Sequence, residues 1–132
     1  MNGSRPMVLV VDDDPDFRQQ LRMQLEAAGY DVTTAEGETA ADALLETMKP
    51  DLAILDLMME RADGGFALSY RLKRRYPDVP VLMVTGVQHE TGLDFTTDTP
   101  AERAWIKADA VLGKPVRFEQ LKRELSRLLP RE

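Results

Sequence analysis

The chain contains no cysteine, which excludes disulfides and thiolate metal sites and leaves the redox compartment open. No apolar run reaches the roughly 18 residues that a membrane span requires, so no membrane partner is expected. The stretch from Met1 to Pro6 lacks the apolar segment of a secretion signal. It is expected to be a loose tail, as are residues 130–132, with the protein cytoplasmic. A surplus of basic charge is also missing. The formal net charge is −6, which argues against nucleic acid as a direct partner, because such proteins need a basic surface to displace counterions. Internal repeats and low-complexity segments are absent. His89 is the single histidine; a lone loop histidine reads as a solvated side chain and receives no catalytic role.

What remains is a chain of 132 residues, the size of one ordinary domain, expected over residues 7–129. Its apolar fraction of 43% and charged fraction of 30% fit a globular fold rather than a disordered segment. Along the chain, two kinds of segment alternate. Met7–Val11 is a short apolar run of the buried-strand kind. Asp14 and Pro15 then start a helix, with Asp as cap and Pro at the first helical position. Phe17, Leu21, Leu25 and Ala28 recur at helical spacing, and Gly29 stops the helix. Asp31–Ala35 is a predicted strand, Glu38–Met48 a predicted helix ended by Pro50, and Leu52–Leu55 a buried strand leading into Asp56. Gly64 and Gly65 precede a helix to about Tyr76. Val79–Val84 is the fourth strand.

The segment from Gly86 to Thr99 is polar and shows no period. Thr99-Pro100-Ala101-Glu102 has capping-box spacing and predicts a helix to about Lys107. Ala110–Leu112 is the fifth strand. A final helix is predicted from about Arg117 to Leu129, with Phe118, Leu121, Leu125 and Leu128 on one face. Five strands alternating with five helices imply an α/β doubly wound, five-stranded parallel sheet. The runs at Val8, Leu52 and Val81 do not alternate, as befits central strands buried on both faces.

In such sheets, ligands bind at the carboxyl ends of the strands. Asp12, Asp13 and Asp14 follow the first strand, Asp56 the third, Thr85 and Gly86 the fourth, and Gly113, Lys114 and Pro115 the fifth. One sheet edge therefore gathers carboxylates, a hydroxyl and an ammonium. Clustered carboxylates repel one another, and a small divalent cation removes that cost. With oxygen ligands only, magnesium is the natural choice. An aspartate beside it is a nucleophile towards phosphorus. The metal and Lys114 would neutralise the phosphoryl oxygens, and Thr85 would hydrogen-bond one of them.

Plainer readings stand beside these. Asp12–Asp14 taken alone is an acidic helix start favoured by the helix dipole. Asp63 shapes a turn with Gly64. Lys73-Arg74-Arg75, Lys122, Arg123 and Arg127 form solvated helix faces with Glu119 and Glu124. Trp105 anchors the helix predicted to end near Lys107, or serves an interface.

The run Val10-Val11-Asp12-Asp13-Asp14-Pro15, then Asp56-Leu57-Met58-Met59 with Asp63-Gly64, then Val84-Thr85-Gly86 and Lys114-Pro115, resembles the response-regulator receiver family of two-component signalling. The resemblance covers nearly the whole chain, from about Met7 to Leu129. It implies a flavodoxin-like receiver fold and a phosphoacceptor at Asp56. It implies Mg2+ held by Asp13, Asp56 and the Met58 backbone carbonyl, with Asp12 acting through water. Thr85 would be the switch hydroxyl and Lys114 the phosphate-binding ammonium, with a cis peptide between Lys114 and Pro115. The phosphodonor would be a sensor histidine kinase or a small acyl phosphate. The domain would assist its own phosphotransfer and dephosphorylation without being an enzyme.

Three positions depart from the family pattern. Glu60 stands where a proline is usual, Val111 where a Tyr or Phe is usual, and the interval from Thr85 to Lys114 is longer. Output is expected through a downstream protein, with residues 86–107 as its surface. The chain could stand alone or be a domain of a longer protein. Two other functions compete. One is a phosphorylation-independent interaction module on the same fold. The other is an aspartyl phosphatase, which would need a second carboxylate where this chain has Met58.

Overall fold

The computed structural model describes residues 5–56, 64–85, 109–113 and 116–129, of which 64–66 and 85 by their backbone alone. In chain order the elements are β1 (Met7–Val11), α1 (Pro15–Ala27), β2 (Asp31–Ala35), α2 (Glu38–Leu45), β3 (Leu52–Asp56), α3 (Gly64–Arg75), β4 (Val81–Thr85), β5 (Ala110–Gly113) and α4 (Phe118–Leu128). The five strands form one parallel sheet in the order β2-β1-β3-β4-β5. The helix predicted over 99–107 lies outside the described residues. No helix among the described residues is long and apolar enough to cross a membrane.

The hydrophobic pattern explains the order. Val8 to Val11, Leu52 to Leu55 and Val81 to Val84 are all buried, and these three strands occupy the middle of the sheet. The less apolar β2 and β5 take its edges. Side chains alternate across each strand and divide between two cores. Leu9, Val11, Ala53, Leu55, Val81 and Met83 pack with Leu45 of α2 and with Leu68 and Leu72 of α3. Val8, Val10, Leu52, Ile54, Leu82 and Val84 pack with Leu21 and Leu25 of α1 and with Leu121 and Leu125 of α4. Each fully buried leucine stabilises the fold by roughly 1.5–3 kcal/mol.

Local chemistry sets the ends of α1. The Asp14 carboxylate accepts from the amides of Asp16 at 3.0 Å and Phe17 at 3.4 Å, with Pro15 at the first helical position. At the other end Gly29 takes φ 101, a left-handed conformation that a Cβ would disfavour. Its amide donates to the Glu26 carbonyl, and the Tyr30 amide reaches back to the Leu25 carbonyl at 3.0 Å. Tyr30 and Leu25 are both buried in the same core, the apolar contact that completes this helix stop.

Several boundaries differ from the sequence expectation. The helix α2 ends at Leu45 rather than Met48; the amides of Thr47 and Met48 both converge on the Leu44 carbonyl, turning the chain ahead of Pro50, which disfavours helix in the residue before it. The strand β4 begins at Val81 rather than Val79. Val79 belongs to a turn, its amide donating to the Tyr76 carbonyl at 3.1 Å, and Pro80 has no N–H to give to a ladder. At the carboxyl edge β3, β4 and β5 each run one residue further than their apolar runs suggest, to Asp56, Thr85 and Gly113.

Two aspartates secure the opposite edge. Asp51 Oδ2 accepts from the Met7 amide at 2.7 Å, while the Asp51 amide donates to the Met7 carbonyl at 2.8 Å. Asp109 Oδ2 accepts from the Val81 amide at 2.7 Å and from Lys73 Nζ at 2.8 Å. Just ahead of β1, the Arg5 guanidinium donates to the Glu26 carbonyl at 2.7 Å. Asp109→Ala removes the acceptor of a buried strand's amide and is expected to cost about 1–3 kcal/mol. Lys73→Met breaks only the partly exposed ion pair and is expected to cost less than about 1 kcal/mol. Urea denaturation of both variants checks this, and equal losses would refute the role assigned to the Val81 amide.

Candidate functional site

The chain leaves β1 on one side to form β2, then returns past β1 to form β3. Strand order therefore reverses between β1 and β3, the crevice where doubly wound sheets bind ligands. The register pairs Val11 with Leu55, so the next residues, Asp12 and Asp56, emerge in step. Asp13 lies one residue further into the loop. Ligand oxygens of Asp12, Asp13 and Asp56 all lie within 4.8 Å of one another. Asp12 is 1% exposed and Asp56 6%, whereas Asp13 is open to solvent.

Loop chemistry fixes these side chains. The Asp12 amide donates to the Ala35 carbonyl on β2 at 3.2 Å. One carboxylate oxygen of Asp12 accepts from the Asp14 amide at 2.9 Å. The Asp12 carbonyl accepts from Arg18 Nη1 at 2.7 Å. Asp14 turns away from the group and spends its carboxylate on the first turn of α1. Arg18 carries no signal in composition or motif. What could have revealed it is geometry: a long side chain in the first helical turn leans back over the loop before it.

Two full charges about 5 Å apart repel by about 3 kcal/mol at the effective dielectric of a protein surface. Three carboxylates in this space are best relieved by a cation. The donor set fits magnesium, a hard ion that takes oxygen ligands, uses one or two carboxylates and keeps several waters. Two oxygens on one such ion stand at most about 4.2 Å apart, so a cluster that spans up to 4.8 Å closes on the ion with small side-chain shifts. The exposed Asp13 leaves the group open to solvent.

The sheet brings Asp12, Asp13 and Asp56 together. Thr85 ends β4, and its backbone pairs with Gly113, the residue before Lys114. Met58, Lys114, Pro115 and residues 86–107, with Trp105, lie outside the described residues, as do Glu60, Asp63 and His89. Val111 is partly buried and packs against the core beneath α2 and α3.

A parallel sheet wound in this order, with acids at its switch point, defines a flavodoxin-like signalling fold. The chain belongs to the response regulator receiver domain family of two-component systems, whose family model matches residues 8–126. It is 43% identical over 84 residues to the DNA-binding dual master transcriptional regulator RpaA of Synechocystis, covering 62% of this chain and 34% of that protein. It is 32% identical over 126 residues to the phosphate regulon transcriptional regulatory protein PhoB of Pseudomonas aeruginosa, covering 94% of this chain and 52% of that protein. The chain thus spans about half the length, or less, of these curated relatives. Among solved structures it resembles the response regulator TrrA of Thermotoga maritima, determined in complex with Mg(2+)-BeF. That likeness has a TM-score of 0.76 at 27% identity and covers 94% of this chain and 99% of that one.

The division of labour within the acidic loop can be measured. Asp14→Ala is expected to lower stability by about 0.5–2 kcal/mol through loss of the helix cap, with Mg2+ affinity unchanged. Asp13→Asn is expected to weaken Mg2+ binding at least about tenfold while leaving stability without metal intact. Titration calorimetry and thermal unfolding of the two variants separate these effects; matching losses of affinity would show that the acids have been divided wrongly.

Proposed function

We propose that this chain is a phosphoacceptor switch, and that Asp56 receives a phosphoryl group from a sensor histidine kinase or a small acyl phosphate in the cytoplasm. The observation that carries the reading is the group of Asp12, Asp13 and Asp56 within 4.8 Å at the switch point of a receiver-family sheet. The receiver module runs from residue 7 to 129. Asp13 and Asp56 would hold Mg2+ directly, the Met58 carbonyl would add a third protein ligand, and Asp12 would act through a bound water. TrrA, solved with Mg(2+)-BeF, supports this cofactor. Bound there, the cation supplies positive charge to the phosphoryl oxygens.

Residues of the chain do the rest. A carboxylate oxygen of Asp56 attacks phosphorus. The new O–P bond forms as the bond to the donor breaks, P–N for a phosphohistidine and P–O for an acyl phosphate. The electron pair leaves with the donor's imidazole nitrogen or carboxylate oxygen. Lys114 offers its ammonium, and Thr85 its hydroxyl, to the transferred group; the family resemblance also implies a cis peptide between Lys114 and Pro115. Such a reaction asks a protein mainly for positioning and charge neutralisation. In the reverse arm, water attacks the same phosphorus and inorganic phosphate leaves, restoring the carboxylate. The chain assists these two steps on itself and turns over no separate substrate.

Incubation with acetyl phosphate and Mg2+, followed by intact mass spectrometry, is expected to add one phosphoryl group. The addition is expected to vanish in Asp56→Asn and on chelation. Undiminished labelling of Asp56→Asn would overturn the assignment.

Output follows from the two-state nature of such a switch, which a phosphoryl group biases only through contacts that differ between states. Val111 has no ring to swing. Movement of Thr85 is instead passed to residues 86–107, which form the surface for a downstream protein. Hydrogen exchange with and without beryllofluoride and Mg2+ is expected to change most between Gly86 and Lys107. A response confined to 110–129 would reject this route.

A further inference from the structure

Arg18 is the fourth residue of α1, and its amide bonds to the Asp14 carbonyl at 3.0 Å, so it sits within the first helical turn. A helical side chain leans toward the N-terminus of its helix, which carries this guanidinium back over the acidic loop. Nη1 donates to the Asp12 carbonyl at 2.7 Å in a partly buried setting. Among the described residues, this carbonyl is the guanidinium's one hydrogen-bond acceptor. The bond closes the loop from residue 12 to residue 18. Together with the Asp12 amide on Ala35 and the Asp14 amide on Asp12 Oδ1, it holds Asp12 from three directions. Asp13, between these anchors, has its backbone set by them.

We infer that Arg18 is the positioning residue of the metal loop: by fixing the Asp12 carbonyl it sets Asp12 and Asp13 for a divalent cation without touching that cation. This rests on the reading of Asp12, Asp13 and Asp56 as a Mg2+ site. Two effects of the guanidinium oppose each other. Its positive charge repels an incoming cation, so a role through charge alone predicts that a neutral residue at position 18 tightens binding. Its hydrogen bond orders the loop, so a positioning role predicts that the same change weakens binding. Positioning wins. Magnesium demands near-ideal octahedral geometry, and groups that orient metal ligands are typically worth 10–100-fold in affinity. The charge effect acts beside solvent, at a rim where Asp13 is exposed, and is screened there.

The test compares wild type, Arg18→Met, Arg18→Lys and Asp13→Asn as full chains. Mg2+ dissociation constants come from amide chemical shifts, and thermal midpoints are taken without metal. Arg18→Met is expected to weaken Mg2+ binding about tenfold. Arg18→Lys, which keeps a charged donor on a long stem, is expected to recover most of that loss. A merely structural role would lower the metal-free midpoint and leave the affinity of the folded protein unchanged. Affinity in Arg18→Met equal to or tighter than wild type overturns the proposal. So does an Arg18→Lys variant as weak as Arg18→Met, because the loss then belongs to packing rather than to the hydrogen bond. If Arg18→Met does not fold, Arg18→Leu, which also lacks a donor, is read the same way. Wild type that binds Mg2+ no better than Asp13→Asn overturns the metal site itself, a failure distinct from wild type and Arg18 variants binding equally well.

Discussion

Parallel pairing of β1 with β3 is the constraint on which the site depends. In a parallel sheet every strand delivers its carboxyl end to the same edge, so residues far apart in sequence meet there without any long-range design beyond the register. For β1 and β3 that register is not written in alternation. Both faces of both strands are apolar and buried, and a slip of one residue would still bury apolar groups. The polar ends decide it. At one edge Asp51 clasps both backbone groups of Met7. At the other, the Asp12 amide holds the Ala35 carbonyl of β2, which fixes β1 against its other neighbour. With the Asp51 end pinned, Val11 faces Leu55 and the two buried carboxylates emerge side by side.

That placement sets stability against function. A pair of acids drawn out of water with a third at 4.8 Å or less works against folding, because the repulsion between Asp56 and the other two is absent from an unfolded chain. The structure offsets part of this with donors. The Asp14 amide serves one Asp12 oxygen, and the Arg18 guanidinium, bonded to the adjacent carbonyl, brings a full positive charge to the loop. The residual repulsion is what a cation can use: anything bound by the folded state alone adds stability by mass action. The cores on either face, built mainly from Leu, Val and Ala, supply the stability that lets the edge remain strained in charge.

The parts of this arrangement that sequence patterns reveal are those with local causes. Strands buried on both faces announce themselves as unbroken apolar runs, and the ends of α1 follow from Asp14, Pro15 and Gly29, whose conformational preferences are intrinsic. The four strand ends that carry polar residues then follow from the parallel topology. Boundaries set by longer-range bonds do not show in the same way. Val79 is as apolar as Val81, and only its turn bond to Tyr76 removes it from the strand. Arg18 is likewise silent, because an arginine in a first helical turn reads as a solvated residue until the loop beside it is folded. Met58, Thr85, Lys114 and Pro115 took their roles from resemblance to the family, and for them the backbone at Thr85 and Gly113 is what the fold adds.

The same topology bears on how a change at Asp56 reaches the rest of the molecule. β5 divides its side chains between the two faces: Leu112 enters the core under α1 and α4, while Val111 packs on the side of α2 and α3. At the Val111 position a large ring could trade an inward rotamer for an outward one and expose or bury substantial area. Valine has one stiff torsion and little area to move, so it cannot act as that kind of reporter. The strand next to the site is β4, whose residue Val84 lies beside Asp56 in the register and whose last residue is Thr85. With a valine at position 111, a readout of the proposed phosphorylation of Asp56 falls to the backbone of β4 that pairs with it rather than to a side-chain rotamer on β5.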